Sequence, residues 1–233
     1  MFTKNMITLM VLVTMLVAGA ALAGENYTLY GKLHTSINYM SDTEDSQIVM
    51  ANNTSRFGIK GSKELDETFT FIWQFENAIN LAQKGANTLA TRNSFLGVTG
   101  DFGTLLYGIH DTPFKTVGRK ATFFYDDLGD HRTTTMGWDQ RLQDVVVYAS
   151  PDFSGFGFVG AYQLDQGILG ADEAKTALSA SASYKEEGLY VGLAYEMYSK
   201  GNGLSYVSGD DMVYADASTV IRAGAKYDFG SFA

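Results

Sequence analysis

The sequence predicts an all-β fold, an antiparallel up-and-down β-barrel whose strands span a membrane. Three observations lead to this prediction. Many stretches alternate between apolar and polar side chains, as strands with two different faces do. The connections between these stretches alternate between short and long, which is typical of a membrane barrel with turns at one end and loops at the other. The polar face carries charges in many strands, which favours a water-filled bore over the apolar core of a soluble β protein.

The first residues are predicted to be an export signal and not part of the fold. Lys4 supplies a positive charge, residues 7–17 form an apolar core, and Ala21-Leu22-Ala23 is a small-x-small cleavage site. The apolar core is shorter than the about 20 residues that a membrane-spanning helix needs. We therefore predict a signal peptide at residues 1–23 and a mature chain that begins at Gly24.

The composition restricts how the exported chain can be stabilised and what it can bind. It contains no cysteine, so strand hydrogen bonds and packing must hold the fold without disulfides. Only 2 prolines occur, which suits uninterrupted strands because proline lacks the backbone donor. The formal net charge of −9 argues against nucleic acid as a partner, because nucleic-acid binders need a basic surface.

Residues 27–39 show the alternation most clearly, with Leu29 and Leu33 on one face and Lys32 and His34 on the other. This stretch is longer than the usual soluble strand of about 5–6 residues. A tilted membrane-spanning strand needs about 9–11 residues. Nine further stretches follow the same rule: 55–63, 68–76, 92–100, 104–109, 141–149, 156–164, 177–185, 189–198 and 219–228. The sequence therefore predicts about ten strands.

The connections fall into two classes. Short ones, rich in Gly, Asp and Glu as tight turns should be, lie at 64–67, 100–103, 151–155, 186–188 and after Phe229. Long ones lie at 40–54, 77–90, 109–140, 165–176 and 199–217. The third long connection, 109–140, shows no strand or helix period and combines aromatic, acidic and basic side chains. Long loops of this kind are usually functional or disordered, and its aromatic content favours packing. We predict that it folds into the bore and narrows it.

Several stretches carry a family resemblance in their order and spacing. They are TLYGK at 28–32, SRFGIKG at 55–61, IWQFE at 72–76, RNSFLGV at 92–98, GDFGTL at 100–105, SPDFSGF at 150–156 and AKYDFG at 225–230. Together they resemble the general porin family of Gram-negative outer membranes. The resemblance implies a homotrimer of 16-stranded barrels in the lipid bilayer of the outer membrane. It also implies a third long loop inside each barrel and passive diffusion of small polar solutes and ions.

The end of the chain departs from the family pattern. The chain stops at Ala233 and lacks the C-terminal strand ending in an aromatic residue that the family uses for assembly. We therefore expect residues 24–233 to be a porin β-barrel domain truncated at its C-terminus. The alternative is a complete ten-stranded barrel, which would leave little room for a loop of this length because barrel width grows with strand number.

The resemblance also implies a constriction at which acids on the loop face bases on the barrel wall. The loop acids are Asp126, Asp127 and Asp130. The wall bases at matching positions are Lys32, Arg56, Arg92 and Arg141, and Lys60 shares the face of Lys32 and Arg56 by alternation. Opposed charges across a narrow opening create a transverse electric field. Polar solutes that reorient in this field can pass, whereas apolar solutes would have to displace ordered water. The alternatives are a solvated outer loop for the acids and an ion pair in the wall for Arg56.

Other functional classes find less support in the sequence. His34 and His131 are accompanied by no clustered ligand set, so we predict no metal site. No Gly-x-Ser-x-Gly elbow or comparable arrangement occurs, so we predict neither an enzyme nor a cofactor. Two alternatives stay open beside the diffusion channel. One is a structural or adhesive outer-membrane barrel with a plugged bore, and the other is a soluble carbohydrate-binding β protein.

Overall fold

The computed structural model describes residues 10–11, 23–24, 27–41, 45–81, 92–126, 130–135, 138–165, 174–200, 202, 205–208, 211–214 and 217–230. These residues form sixteen strands, one α-helix and one short 3₁₀ helix. The chain divides into two compact units, one of residues 1–61 with 75–91 and one of residues 62–74 with 92–233. Most of the predicted signal peptide, residues 1–9 and 12–22, lies outside the described residues.

The first unit is built from antiparallel strand pairs. Its strands are β1 (Met10–Val11), β2 (Ala23–Gly24), β3 (Tyr27–Lys32), β4 (Thr35–Ser41), β5 (Ser46–Asn52), most of β6 (Arg56–Glu64) and the end of β7 (Thr70–Ala78). Strand β3 pairs with β2 and β6, and β4 pairs with β1 and β5.

The prediction of one strand at 27–39 was wrong, because the chain changes partner between β3 and β4. The Ser55 hydroxyl accepts from the backbone N–H of His34 at 2.9 Å and donates to its carbonyl at 3.1 Å. These bonds occupy the backbone groups that a continuous ladder would use. Strand β5 also lies within the predicted loop 40–54, so the hairpin of β4 and β5 corrects that prediction.

The second unit contains a sheet in which each strand pairs with the next one along the chain. Its strands are residues 70–74 of β7, β8 (Ser94–Gly100), β9 (Gly103–Asp111), β10 (Arg141–Ala149), β11 (Phe156–Gln163), β12 (Ala177–Glu186) and β13 (Leu189–Tyr198). A hairpin of β14 (Ser205–Ser208) and β15 (Asp211–Tyr214) follows, and β16 (Ser218–Tyr227) then pairs with β13. The predicted antiparallel up-and-down order is confirmed. The hairpin lies within residues 199–217, which were predicted to be a loop, so β14 and β15 correct that prediction.

The two faces of this sheet differ as the alternation predicted. In β13, Glu196 and Tyr198 are buried, whereas Val191, Leu193 and Met197 are exposed. The exposed face is therefore apolar and the covered face carries the polar groups, the reverse of a soluble sheet. Among the residues that the structure describes, no helix has the length and apolar composition needed to cross a membrane.

The long connection between β9 and β10, residues 112–140, is called the α1 loop here. The prediction that it has no regular structure was wrong. It contains α1 (Pro113–Ala121) and a 3₁₀ helix (His131–Thr134). The Thr112 side chain caps α1 by accepting from the backbone N–H of Lys115 at 3.2 Å, and Pro113 occupies the start of the helix. The helix has only nine residues, few of them apolar, and the sequence prediction missed it.

Helix α1 packs on the polar face of β12, β13 and β16. Phe114 and Val117 are buried with Ala194 of β13, and Trp138 from the end of the loop packs against them. Gly192 and Gly224, opposite one another in register, permit this close approach. A Cβ atom at Gly224 would lie 2.8 Å from Cβ of Ala121, and one at Gly192 would lie 3.0 Å from Cγ1 of Val117.

Candidate functional site

Three groups of charged side chains hold the α1 loop, and the first is centred on Asp111 at the end of β9. Its buried carboxylate lies 3.0 Å from Nζ of Lys115, 3.5 Å from Nη1 of Arg119 and 2.9 Å from Nη2 of Arg141. Asn93 accepts from Nε of Arg141 at 2.7 Å and from the backbone N–H of Asp111 at 3.1 Å. Three cations around one carboxylate leave an excess of positive charge. Arg119, with a side chain 40% exposed, presents this charge to solvent.

The second group lies within the α1 loop and contains two of the predicted constriction acids. Asp126 and Asp130 are buried, at 6% and 4% exposure. Nη2 of Arg132 lies 2.8 Å from Oδ1 of Asp126 and 2.5 Å from Oδ2 of Asp130, and Nε donates to the same Asp130 oxygen at 2.9 Å. Asp130 also accepts from the backbone N–H groups of Asp126 and Arg132. The third predicted acid, Asp127, lies outside the described residues.

Tyr125 connects the first two groups. The guanidinium carbons of Arg119 and Arg132 lie 5.7 Å and 4.5 Å from the centre of its ring. A guanidinium over an aromatic face is attracted by the negative potential of the ring. The positive Asp111 group and the acidic Arg132 group are therefore close neighbours within the second unit.

The third group joins the two limbs of the α1 loop to β16. The Arg222 guanidinium donates through Nη2 to Oδ2 of Asp139 at 2.8 Å and through Nη1 to the other Asp139 oxygen. It also donates to the carbonyl oxygen of Phe114 at 3.1 Å, and its guanidinium carbon lies 3.9 Å from the centre of the Phe114 ring. Thr135 donates to the same carboxylate at 2.8 Å. One side chain thus holds the start of α1 and the end of the loop.

Three of the predicted wall bases lie on one face of the first unit. Lys32 and Arg56 are directly opposite in the register of β3 and β6. Nε of Arg56 lies 3.7 Å from Oε2 of Glu76, which also accepts from the Tyr30 hydroxyl at 3.0 Å. Nζ of Lys60 lies 5.6 Å from the centre of the Tyr30 ring. The alternation assigned these bases to a common face. Arg56 also forms an ion pair within the wall, which was the alternative interpretation of this residue.

The other two predicted bases belong to the second unit. Arg141 is part of the Asp111 group, and Arg92, which is half-buried, directly precedes Asn93. The sequence did not indicate Asp111, Arg132, Asp139 or Arg222 as site residues. Within the described ranges, no group of three or more His, Cys, Asp or Glu side chains is placed to hold a metal.

The pKa of Asp130 reflects its position in the second group. Burial raises the pKa of this carboxyl. The hydrogen bonds from the Arg132 side chain, the Arg132 backbone and the Asp126 backbone outweigh this effect and lower the pKa to about 2. A carboxyl whose pKa is lower in the folded state stabilises that state above its unfolded pKa of 3.8 and loses the effect as pH falls toward 2.

We therefore expect the stability difference between the wild type and Asp130→Asn to depend on acidity. The wild type should be more stable by on the order of 2 kcal/mol above about pH 5, and this difference should shrink as pH falls from 4 to 2. Chemical unfolding in lipid vesicles at a series of pH values measures it. Asp101→Asn, at an exposed turn, is the control. A difference that did not change with pH would show that the Asp130 carboxylate does not stabilise the loop by its charge.

Comparisons with known proteins agree on one family. A family model described as Gram-negative porin matches residues 8–233. Major outer membrane protein P.IA of Neisseria meningitidis serogroup C is 30% identical over 182 residues, covering 77% of this chain and 40% of that protein. Outer membrane porin protein OmpD of Salmonella typhimurium is 29% identical over 233 residues, covering 92% of this chain and 63% of that protein. The chain thus spans less than two thirds of the length of either relative.

The solved structures give the same result for the fold. The anion-selective porin from Comamonas acidovorans superposes with a TM-score of 0.68 at 21% identity, covering 88% of this chain and 64% of that one. At this level of identity the similarity concerns the fold.

Proposed function

This chain belongs to the Gram-negative porin family, and from that premise we propose that the protein forms a water-filled outer-membrane channel for passive diffusion of small hydrophilic solutes and ions. The observation that carries the proposal is the α1 loop on the polar face of the second unit. A helix held there by ion pairs and by the apolar contacts of Phe114 and Val117 narrows a bore on that face. The exposed apolar face of the same sheet is suited to lipid.

The chemistry of the proposed channel follows from the charged groups. Asp126, Asp127 and Asp130 form the negative side of the constriction, and Arg119 and Arg141 form the positive side within the same unit. Lys32, Arg56, Lys60 and Arg92 are further bases of the wall. In a narrow opening of low dielectric constant, such opposed charges orient dipolar solutes and hinder apolar ones. The channel carries out transport and no covalent chemistry.

Processing and assembly belong to the same proposal. Residues 1–23 are removed as a signal peptide, and the mature porin is a homotrimer in the bilayer. The mass of the protein isolated from outer membranes tests the first point, because cleavage leaves Gly24 as the first residue. Chemical crosslinking of the porin in its membrane tests the second, and a ladder that ended at the monomer would contradict it.

The porin reconstituted in planar lipid bilayers provides the direct test. We expect stepwise increases in conductance and swelling of liposomes in small sugars. A silent bilayer with correctly folded protein would contradict the channel and favour a plugged structural or adhesive barrel. Protein that stays soluble without detergent would instead favour the carbohydrate-binding alternative.

The loop acids make a specific prediction about ion selectivity. Replacing Asp126, Asp127 and Asp130 together by asparagine keeps the side-chain volume, removes three negative charges and leaves the Arg132 charge uncompensated. A more positive lining favours anions, so the reversal potential under a salt gradient should shift toward that of an anion channel. The shift should be largest at low salt, because the Debye length is about 30 Å at 0.01 M and about 3 Å at 1 M.

A matched control separates the local field from the net charge. Replacing Glu64 and Glu67 by glutamine and Asp101 by asparagine removes the same number of charges from exposed positions outside the α1 loop. This variant should keep the reversal potential of the wild type. Equal reversal potentials for the wild type and the aspartate variant at low salt would show that the three aspartates do not form the negative side of the constriction.

A further inference from the structure

A second positive region lies beyond the Asp111 group, on the same face of the second unit. In the register of the sheet, Lys185 of β12 is directly opposite Tyr190 of β13, and Tyr190 is directly opposite Lys226 of β16. Directly opposed residues of antiparallel strands share a face. A buried tyrosine is therefore flanked by two lysines in one row across three strands.

The end of α1 adds a third lysine to this row. Nζ of Lys120 lies 5.5 Å from the centre of the Tyr190 ring. Nζ of Lys226 lies 4.4 Å from the centre of the Phe123 ring, just after the helix. Lys120 and Lys185 are exposed and Lys226 is half-buried, so their ammonium groups are accessible to a solute. Lys120 thus lies over the Tyr190 ring, and Lys185 and Lys226 occupy the two positions opposite Tyr190 in the sheet.

These three ammonium groups differ in their ion pairing from the cations that hold the α1 loop. Among the described residues, neither Lys120 nor Lys185 nor Lys226 takes part in an ion pair, in contrast to Lys115 and Arg222. The neighbouring Glu186 bonds the Tyr184 hydroxyl, and both point to the opposite face by alternation. The acid nearest to Lys226 in sequence is Asp228, whose carboxylate accepts from the backbone N–H of Gly230 at 3.0 Å.

Mutual repulsion of these cations is apparent at Lys120. Partial burial lowers the pKa of its ammonium group, and the charges of Arg119 and Lys185 lower it further. An anion with more than one negative charge would relieve this repulsion, and ammonium groups with three donors each can bind phosphate or carboxylate oxygens.

We propose that Lys120, Lys185 and Lys226, arranged around Tyr190, form a binding site for small polyvalent anions that carry phosphate or carboxylate groups. The site rests on the proposed channel function, because it requires that solute reaches this face. It lies at the end of α1, next to the Asp111 group through Arg119. An anion that reaches this face would therefore meet two positive regions, of which the one around Tyr190 has no ion-paired carboxylate among the described residues.

Equilibrium binding tests the site independently of transport. The porin in neutral detergent at low salt is titrated with inorganic phosphate and, separately, with citrate, and the heat of binding is measured. Each single lysine-to-glutamine variant should raise the dissociation constant about threefold, and the triple variant about 30-fold, as expected for partly exposed ion pairs. Lys175→Gln, an exposed lysine outside the row, removes the same charge and should change the constant by less than about 1.5-fold.

The outcomes distinguish the site from the channel. Phosphate binding that weakens in the three variants and not in Lys175→Gln supports the site, even if bilayers containing the protein are silent. Absence of binding, or equal weakening in the control, overturns the site, even if conductance is normal. The single variants at exposed Lys120 and Lys185 decide the question if the triple variant does not fold. Phosphate added to wild-type channels should also reduce chloride conductance. Because the lipid is the same before and after the addition, lipid phosphates cannot cause this change.

Discussion

Replacing Arg222 by alanine is expected to detach both limbs of the α1 loop from β16 and to lower the free energy of unfolding by about 3–5 kcal/mol. The Asp139 side chain, 1% exposed, would be left buried without its guanidinium partner, beside only Thr135 at 2.8 Å and His131 at 3.7 Å. The carbonyl of Phe114 would lose a donor at 3.1 Å. Chemical unfolding of the porin in lipid vesicles measures the loss. In planar bilayers the same variant should show larger current fluctuations, because a loop released at both ends moves within the bore.

Two further variants separate the clamp from a general loss of charge. Lys226→Gln removes one positive charge from the same face of β16 and should change the free energy of unfolding by no more than about 0.5 kcal/mol. The double variant Asp139→Asn with Arg222→Gln leaves no unpaired buried charge and should cost less than either single variant. Additive losses in this cycle would contradict a direct interaction. Close packing also fixes the guanidinium in place, since a Cβ atom at Gly118 would lie 2.2 Å from Nη1 of Arg222.

Replacing Asp111 by asparagine should destabilise the protein by a similar amount, about 3–5 kcal/mol. The Lys115 side chain is only 8% exposed and lies 3.0 Å from this carboxylate. Burial already lowers the pKa of the Lys115 ammonium group, and Asp111 opposes that effect. Without the carboxylate, the folded state would favour the neutral amine. The stability of the variant should therefore increase as pH rises toward 10.5, because the unfolded chain holds the proton more tightly.

A second substitution tests this explanation. Adding Lys115→Met to Asp111→Asn removes the buried charge while keeping an unbranched side chain of similar length. The double variant should recover part of the lost stability at pH 7 and lose the pH dependence. No recovery would mean that the Asp111 carboxylate acts through Arg141 and Arg119, whose guanidinium groups also lie beside it. Unfolding of the single and double variants in vesicles at pH 7 and pH 9 measures both effects.

The strands of the second unit could be predicted because, in a strand with two different faces, apolar and polar side chains alternate along the sequence. The alternation in β13 assigned Val191 and Leu193 to the exposed face and Glu196 to the covered face, as the structure has them. The change of partner between β3 and β4 could not be predicted in this way. It depends on hydrogen bonds between Ser55 and His34, which are 21 residues apart and leave no period in the sequence.

The site was predicted less completely, and the reason is the distance along the chain between its members. Arg222 bonds Asp139 and Phe114, which precede it by 83 and 108 residues. A pattern within one strand assigns Arg222 to the polar face but cannot indicate which loop residue it meets. Helix α1 had a local signal, Thr112 followed by Pro113, which marks a helix start.

The contact between Phe114 and Arg222 also determines when the α1 loop can dock during assembly. Because this bond closes 108 residues, we expect it to form only after β10 to β13 and β16 have paired. Until then the loop lacks its second anchor, and docking is a late step on the folding pathway. Contacts that form late contribute little to the folding transition state and much to the barrier against unfolding. Loss of the Arg222 clamp should therefore shorten the lifetime of the folded porin while leaving its rate of strand assembly almost unchanged.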